Sequence, residues 1–332
     1  MIVGFDVGGS KISLFLSSRD GRILYRDRVR TPAMGDPMDL VDTLAGMTRI
    51  AEERSGTTAE IISIAFAGAV DGKSGVIHAS PNLFGGKEIP ISSIMEDLLG
   101  KSVYVENDAT AVAISEKIFG VGKQFSNYIY LSLSTGIGGG IFANNHIYRG
   151  ALGMAGEFGH MKVVEKGRLC GCGRNGCLES EAGGRAIANI LEEENYREKS
   201  PYLAKIPGRA LEALDLFEGA KAGDKVCIKL AESIAYKISS GIASLANIFD
   251  PEAIMLGGGL SNSKEFIFDK VRETVPKLMS TLGRNLLFYH TSPEIMELSP
   301  LAVVLYEEQI PGFNIERIVR EMRAKTSGKA TF

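Results

Sequence analysis

The chain has 332 residues, 45% hydrophobic and 23% charged, which predicts a globular protein long enough to bury two cores. Its formal net charge of -3 provides no basic field for phosphate-backbone binding, so we expect no nucleic-acid partner. The opening residues MIVGFDVGGS lack the features of a signal peptide, and no run of about 18 apolar residues predicts a membrane span. We therefore expect a cytoplasmic protein with no membrane association that acts on a small soluble substrate.

The predicted elements alternate between strands and helices. Ile2–Leu16 is predicted as two strands around a glycine turn, and a third strand follows at Ile23–Arg28. Next come a helix (39–54), a buried strand (61–67), a strand (103–105) and a helix from residue 109. A second strand-turn-strand pattern spans Tyr128–Tyr148 and includes the turn Asn144-Asn145, which indicates an internal duplication.

A long amphipathic helix is predicted in the last third of the chain. Its apolar face carries Leu230, Ile234, Ile238, Ile242, Leu245 and Ile248, and it should end near Asp250. The sequence AIMLGGG (253–259) then predicts a strand that enters a third glycine turn. Together these elements predict two similar α/β lobes with a cleft between them, to which each lobe contributes a glycine turn.

Three glycine turns are candidate nucleotide sites. In Gly8-Gly9-Ser10-Lys11 the glycines let backbone N–H groups approach phosphate oxygens, while the serine and lysine add a hydroxyl and a positive charge. Thr135-Gly136 opens the equivalent turn of the second copy, with the threonine as a hydroxyl donor. Gly257-Gly258-Gly259 could lie flat against a nucleotide base or ribose. The alternatives are a plain hairpin turn for the first and a helix-start glycine cluster for the third.

Asp108 is the candidate catalytic base. It follows Glu106 and Asn107 at the end of a predicted strand and directly precedes a helix. A carboxylate at such a strand end can accept the proton of an attacking hydroxyl in phosphoryl transfer. The alternative is that Asp108 only caps the helix, a common role for aspartate.

The most specific pattern is a set of four metal-ligating residues, His160, Cys170, Cys172 and Cys177. One imidazole and three thiolates are the ligands of a closed tetrahedral zinc site, which favours a structural role over a catalytic one. The alternative is three free cysteines and an unrelated histidine. Glu157 flanks this cluster on one side and Glu179 on the other. Both are candidate acceptors for sugar hydroxyls, and two solvated surface glutamates are the alternative.

These residues resemble the ROK family of sugar kinases and sugar-responsive repressors, within the actin-like ATPase superfamily. The resemblance covers almost the whole chain, through DVGGSKI (6–12), SPNL (80–83), VENDATA (105–111), STGIGGGI (134–141), GEFGH (156–160), CGCGRNGCLE (170–179) and DPEAIMLGGGLS (250–261). It implies a two-lobed actin-like ATPase fold, of the duplicated ribonuclease-H-like type, with an interlobe cleft and a structural zinc loop. We expect a small α/β lobe formed by 1–110 plus about 293–332, and a large α/β lobe, 111–292, that carries the zinc loop.

The resemblance also implies roles for individual residues. Asp108 matches the base for the sugar 6-hydroxyl, and the sugar contacts are Asn82, Asn107, Glu157, His160 and Glu179. The ATP phosphate sites are Gly8, Gly9, Ser10, Lys11, Thr135 and Gly136, adenosine falls at Gly257, Gly258 and Gly259, and Asp6 helps to position magnesium. The expected reaction is Mg-ATP-dependent phosphorylation of the 6-hydroxyl of a hexose, with glucose as first choice. N-acetylmannosamine or another N-acylhexosamine is the second choice, and we expect a homodimer or homotetramer.

Two other functions stay open at this point. The family includes repressors that carry a DNA-binding segment ahead of the first glycine turn, and here that turn begins at residue 6, which disfavours this interpretation. A non-catalytic protein that binds or senses a sugar is the second alternative. The chain also departs from the family pattern, with Ser10 for threonine, Ala67 for proline and Gly86 for tryptophan. The tail after Pro311 has no counterpart, and we expect a helix packed on the first lobe or on a partner subunit.

Overall fold

A computed structural model describes residues 1–32, 35–80, 83–206, 208–280, 285–310 and 312–327, with side chains up to Arg323. The strands are β1 (Ile2–Val7), β2 (Lys11–Ser17), β3 (Ile23–Arg30), β4 (Ile61–Phe66), β5 (Ala69–Asp71), β6 (Val76–Ala79), β7 (Ser102–Asn107), β8 (Tyr128–Leu133), β9 (Ile137–Ala143), β10 (His146–Ile147), β11 (Ala253–Gly257) and β12 (Leu287–His290). This confirms the predicted alternation of strands and helices.

The helices differ widely in length. They are α1 (Pro37–Ser55), α2 (Ile91–Leu99), α3 (Asp108–Ile118), α4 (Leu178–Ala182), α5 (Gly184–Glu193), α6 (Tyr196–Lys199), α7 (Ala213–Lys221), α8 (Lys225–Phe249), α9 (Phe268–Leu278), α10 (Pro293–Glu297), α11 (Ser299–Glu308) and α12 (Ile315–Ser327). None of the helices among the described residues is both long and apolar enough to cross a membrane.

The chain divides into two compact units. The first comprises Met1–Ser126, Gly140–Ala155 and Ser292–Phe332, and the second comprises Asn127–Gly139 and Gly156–Thr291. Strand β9 begins in the second unit and ends in the first. These are packing units, and the expected division into functional lobes, 1–110 with about 293–332 and 111–292, stays a prediction.

The first unit is built on a mixed five-stranded sheet of order β3-β2-β1-β4-β7. Strands β1, β2 and β3 form an antiparallel meander, whereas β1, β4 and β7 run parallel. All six residues of β4 are buried, as expected for a central parallel strand. Helix α11 packs against α3, β1 and β4. The carboxyl ends of β1, β4 and β7 therefore lie at one edge, where Val7, Phe66 and Asn107 are in register.

The second unit holds a sheet in which β9, β8, β11 and β12 are successive neighbours. Strands β8, β11 and β12 are parallel, and Ser132 near the end of β8 pairs with Gly257 at the end of β11. Helix α8 packs against α4, α7 and α9. Its predicted apolar face is buried at Ile234, Ile238, Ile242 and Leu245, but Ile248 is 70% exposed. Ile242, Leu245 and Ile248 are spaced by three residues, and each such step falls about 60° short of a full helical turn. After two steps, Ile248 points about 120° away from Ile242 and so away from the core.

The tail after Pro311 forms a helix that packs within the first unit. Ile318 and Met322 of α12 are buried, and the carboxylate of Glu321 accepts a 2.8 Å hydrogen bond from the backbone N–H of Ile23 at the start of β3. Arg317 pairs with Asp20 in the turn before β3 at 2.6 Å. The expectation of a helix packed on the first lobe matches these contacts with the β2–β3 hairpin.

Candidate functional site

The junction between β7 and α3 places Asn107 and Asp108. Asn107 is the N-cap residue, because its side-chain oxygen accepts hydrogen bonds of 3.0 Å from the backbone N–H groups of Ala109 and Thr110. Its side-chain nitrogen donates to the carbonyl oxygen of Gly68 at 3.0 Å, which uses one of its two N–H donors. Helix α3 is thus capped by Asn107 and not by Asp108, the residue named in the capping alternative.

Asp108 is the first residue of α3 and is half-buried. Its carboxylate accepts a 2.9 Å hydrogen bond from the N–H of Ala109. A carboxylate in the first helical turn is stabilised by the partial positive charge of the helix N-terminus. Its position at the end of a parallel strand is the one that the sequence predicted.

The first glycine turn lies at the same sheet edge as Asp108. It joins β1 to β2, and Val7, the last residue of β1, is in register with Asn107 two strands away, a spacing of about 10 Å. A hydrogen bond of 3.0 Å from the N–H of Gly8 to the carbonyl oxygen of Lys11 closes the turn. Gly9, Ser10 and Lys11 are exposed. The turn is therefore a hairpin, and its exposed residues offer hydrogen-bond donors at the same sheet edge as the candidate base.

Asp6 lies on β1 just before this turn. Burial raises the pKa of Asp6, while the positive charge of Lys11 opposes that effect. A divalent cation near the carboxylate would favour its ionised form in the same way as the lysine does. Carboxylate oxygens are ligands that Mg²⁺ accepts, so the side chain of Asp6 is of a suitable type for a magnesium site.

The four predicted metal ligands converge in the second unit. The donor atoms of His160, Cys170, Cys172 and Cys177 all lie within 4.8 Å of one another. The Sγ atoms of Cys172 and Cys177 are 3.7 Å apart, and Cys170 Sγ lies 3.6 Å from His160 Nδ1. A tetrahedral zinc ion with ordinary bond lengths requires about 3.8 Å between two sulfurs and about 3.6 Å between sulfur and nitrogen. The cluster therefore fits a structural zinc site.

Two of the three thiols lie where their charged form is disfavoured. Burial and the neighbouring thiols raise the pKa of Cys177 to about 12, and burial also raises the pKa of Cys170. Three thiolates can share so small a space at neutral pH only when a metal ion compensates their charge. With four protein ligands the site would be closed, which suits a structural ion and leaves no position for substrate.

Two predicted sugar contacts, Glu157 and Glu179, lie near His160 of the metal-ligand cluster, and Glu179 also contacts the second glycine turn. His160 faces Cys170 with Nδ1, and its Nε2 lies 3.6 Å from a carboxylate oxygen of Glu157. Burial raises the pKa of Glu157, and His160 opposes that rise. Glu179 accepts a 2.9 Å hydrogen bond from the N–H of Ile137. The structure thus brings the three predicted sugar contacts of this unit together.

The second glycine turn, which joins β8 to β9, is tied to the start of α5. The carbonyl oxygens of Ser134 and Thr135 accept hydrogen bonds of 2.8 and 3.0 Å from the N–H groups of Gly184 and Arg185. A Cβ atom on Gly136 would lie 2.4 Å from Oε2 of Glu179, so a larger residue there would displace that carboxylate. Thr135 is exposed. The backbone of this turn is therefore fixed while its hydroxyl stays accessible.

The third glycine turn lies beside the second, because β11 and β8 are neighbours in the sheet. Gly258 has a φ of +86°, and a Cβ atom there would lie 2.4 Å from the carbonyl oxygen of Leu133. Ser261 donates a 2.6 Å hydrogen bond to the carbonyl oxygen of Gly258, and His290 lies 3.1 Å from the same hydroxyl. The sequence did not predict this contact, because the strand that carries His290 has no motif of its own.

The predicted residues fall into two groups. Asp6, the first glycine turn, Asn107 and Asp108 belong to the first unit, and the other described site residues belong to the second. Asn82, a predicted sugar contact, lies outside the described residues. In each unit, glycine turns follow the carboxyl ends of parallel strands, where ligands of α/β proteins commonly bind.

Comparison with known proteins gives relatives of more than one kind. A glucokinase from Thermotoga maritima is 32% identical over 276 residues, 82% of this chain and 86% of that protein. An N-acetylmannosamine kinase from Escherichia coli is 33% identical over 79% of this chain and 84% of its own length. A xylose repressor from Caldicellulosiruptor bescii is 31% identical over 92% of this chain and 76% of its own.

Solved structures with the same fold include two bacterial sugar kinases. A ROK hexokinase from Thermus thermophilus matches with a TM-score of 0.76 and 32% identity, over 93% of this chain and 99% of that one. A ROK family glucokinase from Streptomyces griseus, solved with glucose and AMPPNP, matches with a TM-score of 0.75 and 31% identity, over 91% and 98%. These matches confirm the predicted mixed α/β fold of the actin-like ATPase type.

The family model for ROK proteins matches residues 2–292, which include every candidate site residue and end before α10, α11 and α12. The resemblance inferred from the motifs is therefore confirmed. The chain belongs to the ROK family.

Proposed function

We propose that this protein transfers the γ-phosphoryl group of ATP to the 6-hydroxyl of a hexose. Glucose is the first choice of acceptor, and N-acetylmannosamine or another N-acylhexosamine is the second. The observation that carries the proposal is the position of Asp108, at the first turn of α3 and on the same sheet edge as the turn of Gly8 to Lys11. Phosphoryl transfer to a hydroxyl requires a proton acceptor close to groups that donate hydrogen bonds to phosphate oxygens.

Asp108 acts as the general base. The sugar O6 attacks the γ-phosphorus in line with the leaving oxygen of ADP, so the O6–P bond forms while the bond from phosphorus to the β–γ bridging oxygen breaks. The O6 proton passes to the carboxylate of Asp108. Catalysis by one positioned base contributes a factor of about 10²–10⁴, and the rest comes from alignment and charge stabilisation.

The remaining site residues bind and orient the substrates. Gly8, Gly9, Ser10, Lys11, Thr135 and Gly136 hold the phosphates, Gly257, Gly258 and Gly259 contact adenosine, and Asn82, Asn107, Glu157, His160 and Glu179 bind the sugar. Asp6 would hold magnesium, which neutralises phosphate charge when bound. With Nδ1 directed at the zinc cluster, the Nε2 of His160 stays available to a sugar hydroxyl or to Glu157.

The relatives support this proposal at different levels. Glucokinase relatives and the structure with glucose and AMPPNP support a sugar kinase that uses ATP. The N-acetylmannosamine kinase relative supports the second choice of acceptor. We also propose a cytoplasmic location and a homodimer or homotetramer.

A second candidate function is sugar sensing without turnover, which the similarity to a xylose repressor favours. The two functions differ in whether ATP is consumed. A sensor would bind its sugar without releasing ADP.

A coupled ADP-release assay distinguishes these functions. Mg-ATP is supplied with a panel of hexoses and N-acylhexosamines, and 6-deoxyglucose serves as the matched control because it lacks only the attacking hydroxyl. We expect turnover with glucose or an N-acylhexosamine and none with 6-deoxyglucose. Calorimetric binding of a sugar by the zinc-loaded protein, without turnover of any sugar in the panel, would favour the sensor and contradict the kinase.

A further inference from the structure

An ion network forms around the buried carboxylate of Glu106, two residues before the candidate base Asp108. The carboxylate of Glu106 is 1% exposed and accepts a 2.7 Å hydrogen bond from Nε of Arg149. The Nη2 atom of the same arginine contacts Glu307 of α11 at 2.6 Å. Although burial opposes the charged form, these two carboxylates raise the pKa of Arg149. Burial raises the pKa of Glu106, and the charge and hydrogen bond of Arg149 oppose that rise, so the arginine offsets part of the cost of burying the carboxylate.

Glu106 is also bonded to the backbone that presents the base. Its Oε1 atom accepts a 3.1 Å hydrogen bond from the N–H of Asn107, the residue between Glu106 and Asp108. On the other side, a Cβ atom on Gly72 would lie 2.8 Å from Oε2 of Glu106, so the glycine leaves just enough room for the carboxylate. Glu106 is thus fixed by hydrogen bonds and by packing, and it restrains the peptide that leads into α3.

Arg149 fixes a second segment. Its carbonyl oxygen accepts a 3.0 Å hydrogen bond from the N–H of Ala155, which closes the loop of residues 149–155. Gly150 and Gly153 of this loop have φ values of +75° and +74°, which glycine adopts without strain. The loop ends two residues before Glu157. Arg149 therefore connects two segments: its side chain binds Glu106, which contacts the peptide before Asp108, and its backbone closes the loop that leads to a proposed sugar contact.

We infer that Glu106 and Arg149 are positioning residues for phosphoryl transfer, and this inference rests on the proposed function. Their ion pair holds the backbone at Asn107–Asp108 and the closed loop 149–155 in one arrangement. Neither residue needs to contact the substrate. Loss of the pair should lower kcat, because small displacements of a catalytic group are costly in rate.

The same strand offers a matched control. At the opposite end of β7, Lys101 pairs with Glu52 at 2.8 Å, and their side chains are 9% and 20% exposed. Glu52 also accepts a hydrogen bond from a backbone N–H, that of Ala59, at 2.7 Å. Glu52→Gln therefore removes the charge of a partly buried ion pair whose carboxylate also accepts a backbone hydrogen bond, away from the proposed site. A purely structural role for Glu106 would make the two glutamine variants alike.

The first test compares kcat and KM of Glu106→Gln, Arg149→Gln, Arg149→Lys and Glu52→Gln with those of the wild type, on protein shown to be folded by circular dichroism. We expect kcat to fall at least tenfold in the first two, with KM for ATP within about threefold. Arg149→Lys should recover part of kcat because it keeps the charge, and Glu52→Gln should stay within twofold. If a single variant does not fold, the double variant Glu106→Gln/Arg149→Gln removes both charges of the Glu106–Arg149 pair and leaves neither of them unpaired. A kcat within twofold of the wild type in folded Glu106→Gln and Arg149→Gln would overturn the inference.

The second test does not depend on turnover. Hydrogen–deuterium exchange should be faster by at least tenfold in peptides covering 107–110 and 150–157 of Arg149→Gln, and unchanged there in Glu52→Gln. Unchanged exchange in Arg149→Gln would refute the positioning role. If the wild type phosphorylates no sugar but these peptides respond as expected, the proposed function fails, and only the ordering of these two segments by the ion pair is supported.

Discussion

Replacement of Asn107 tests the construction of the site through protein stability. Asn107→Ala removes two capping hydrogen bonds to Ala109 and Thr110 and a third to Gly68. A lost cap costs about 1 kcal/mol and a lost hydrogen bond to a backbone carbonyl about 1 kcal/mol, so we expect a loss of about 2 kcal/mol in the free energy of unfolding. For a urea m-value of about 2 kcal/mol/M, the midpoint should fall by about 1 M.

The assay is urea unfolding followed by circular dichroism, without ligands. Asn107→Ser keeps a capping hydroxyl and should lose only about half as much stability, since serine caps helices about as well as asparagine. Asp108→Asn removes a charge from the first helical turn and should cost less than about 1 kcal/mol. If Asn107→Ala is no less stable than Asp108→Asn, Asn107 does not cap α3 and the described junction is wrong.

Three further predictions concern the zinc loop, the third glycine turn and the C-terminal helix. Cys172→Ser should reduce the bound zinc, measured by atomic emission, from about one ion per chain to under about 0.2 ions per chain, because structural sites need all four ligands. Full retention of zinc would exclude Cys172 as a ligand. Gly258→Ala should raise KM for ATP at least tenfold, because a Cβ atom would lie 2.4 Å from a backbone carbonyl oxygen. In the control Gly46→Ala, the added Cβ atom meets no atom within 4 Å, and KM should not change. Equal KM values for the two variants would contradict the assigned nucleotide turn. Ile318→Ala should lower the free energy of unfolding by about 3 kcal/mol, as expected for a fully buried side chain. Arg320→Ala, on the exposed face of the same helix, should lower it by under about 0.5 kcal/mol. Equal effects would mean that α12 is not packed as described.

Much of this site follows from local sequence. Glycine turns between strands, a carboxylate at a strand end and the spacing of one histidine with three cysteines are short-range patterns, and the structure places each in the predicted kind of element. The N-cap residue was harder to assign, because Asn107 and Asp108 both cap helices well and the outcome depends on which side chain turns back over α3.

Other features depend on contacts between distant residues. Glu106 and Arg149 are 43 residues apart, and neither has a neighbour in the sequence that identifies its partner. Glu106 belongs to the motif VENDATA, so the sequence predicts that it lies beside the candidate base but does not predict its ion pair with Arg149. Similarly, Ser261 ends the motif DPEAIMLGGGLS, yet its contact with His290 arises only when β12 pairs beside β11.

The central claim is that Asp108 accepts the proton of the sugar 6-hydroxyl. The most direct test is a rapid-quench single-turnover measurement with Mg-ATP and the preferred sugar, on wild type and Asp108→Asn, with sugar affinity measured by calorimetry. We expect the variant to bind sugar within about threefold of the wild-type affinity and to form sugar 6-phosphate at least about 10² times more slowly. A rate close to that of the wild type would remove Asp108 from the role of base and contradict the proposed mechanism.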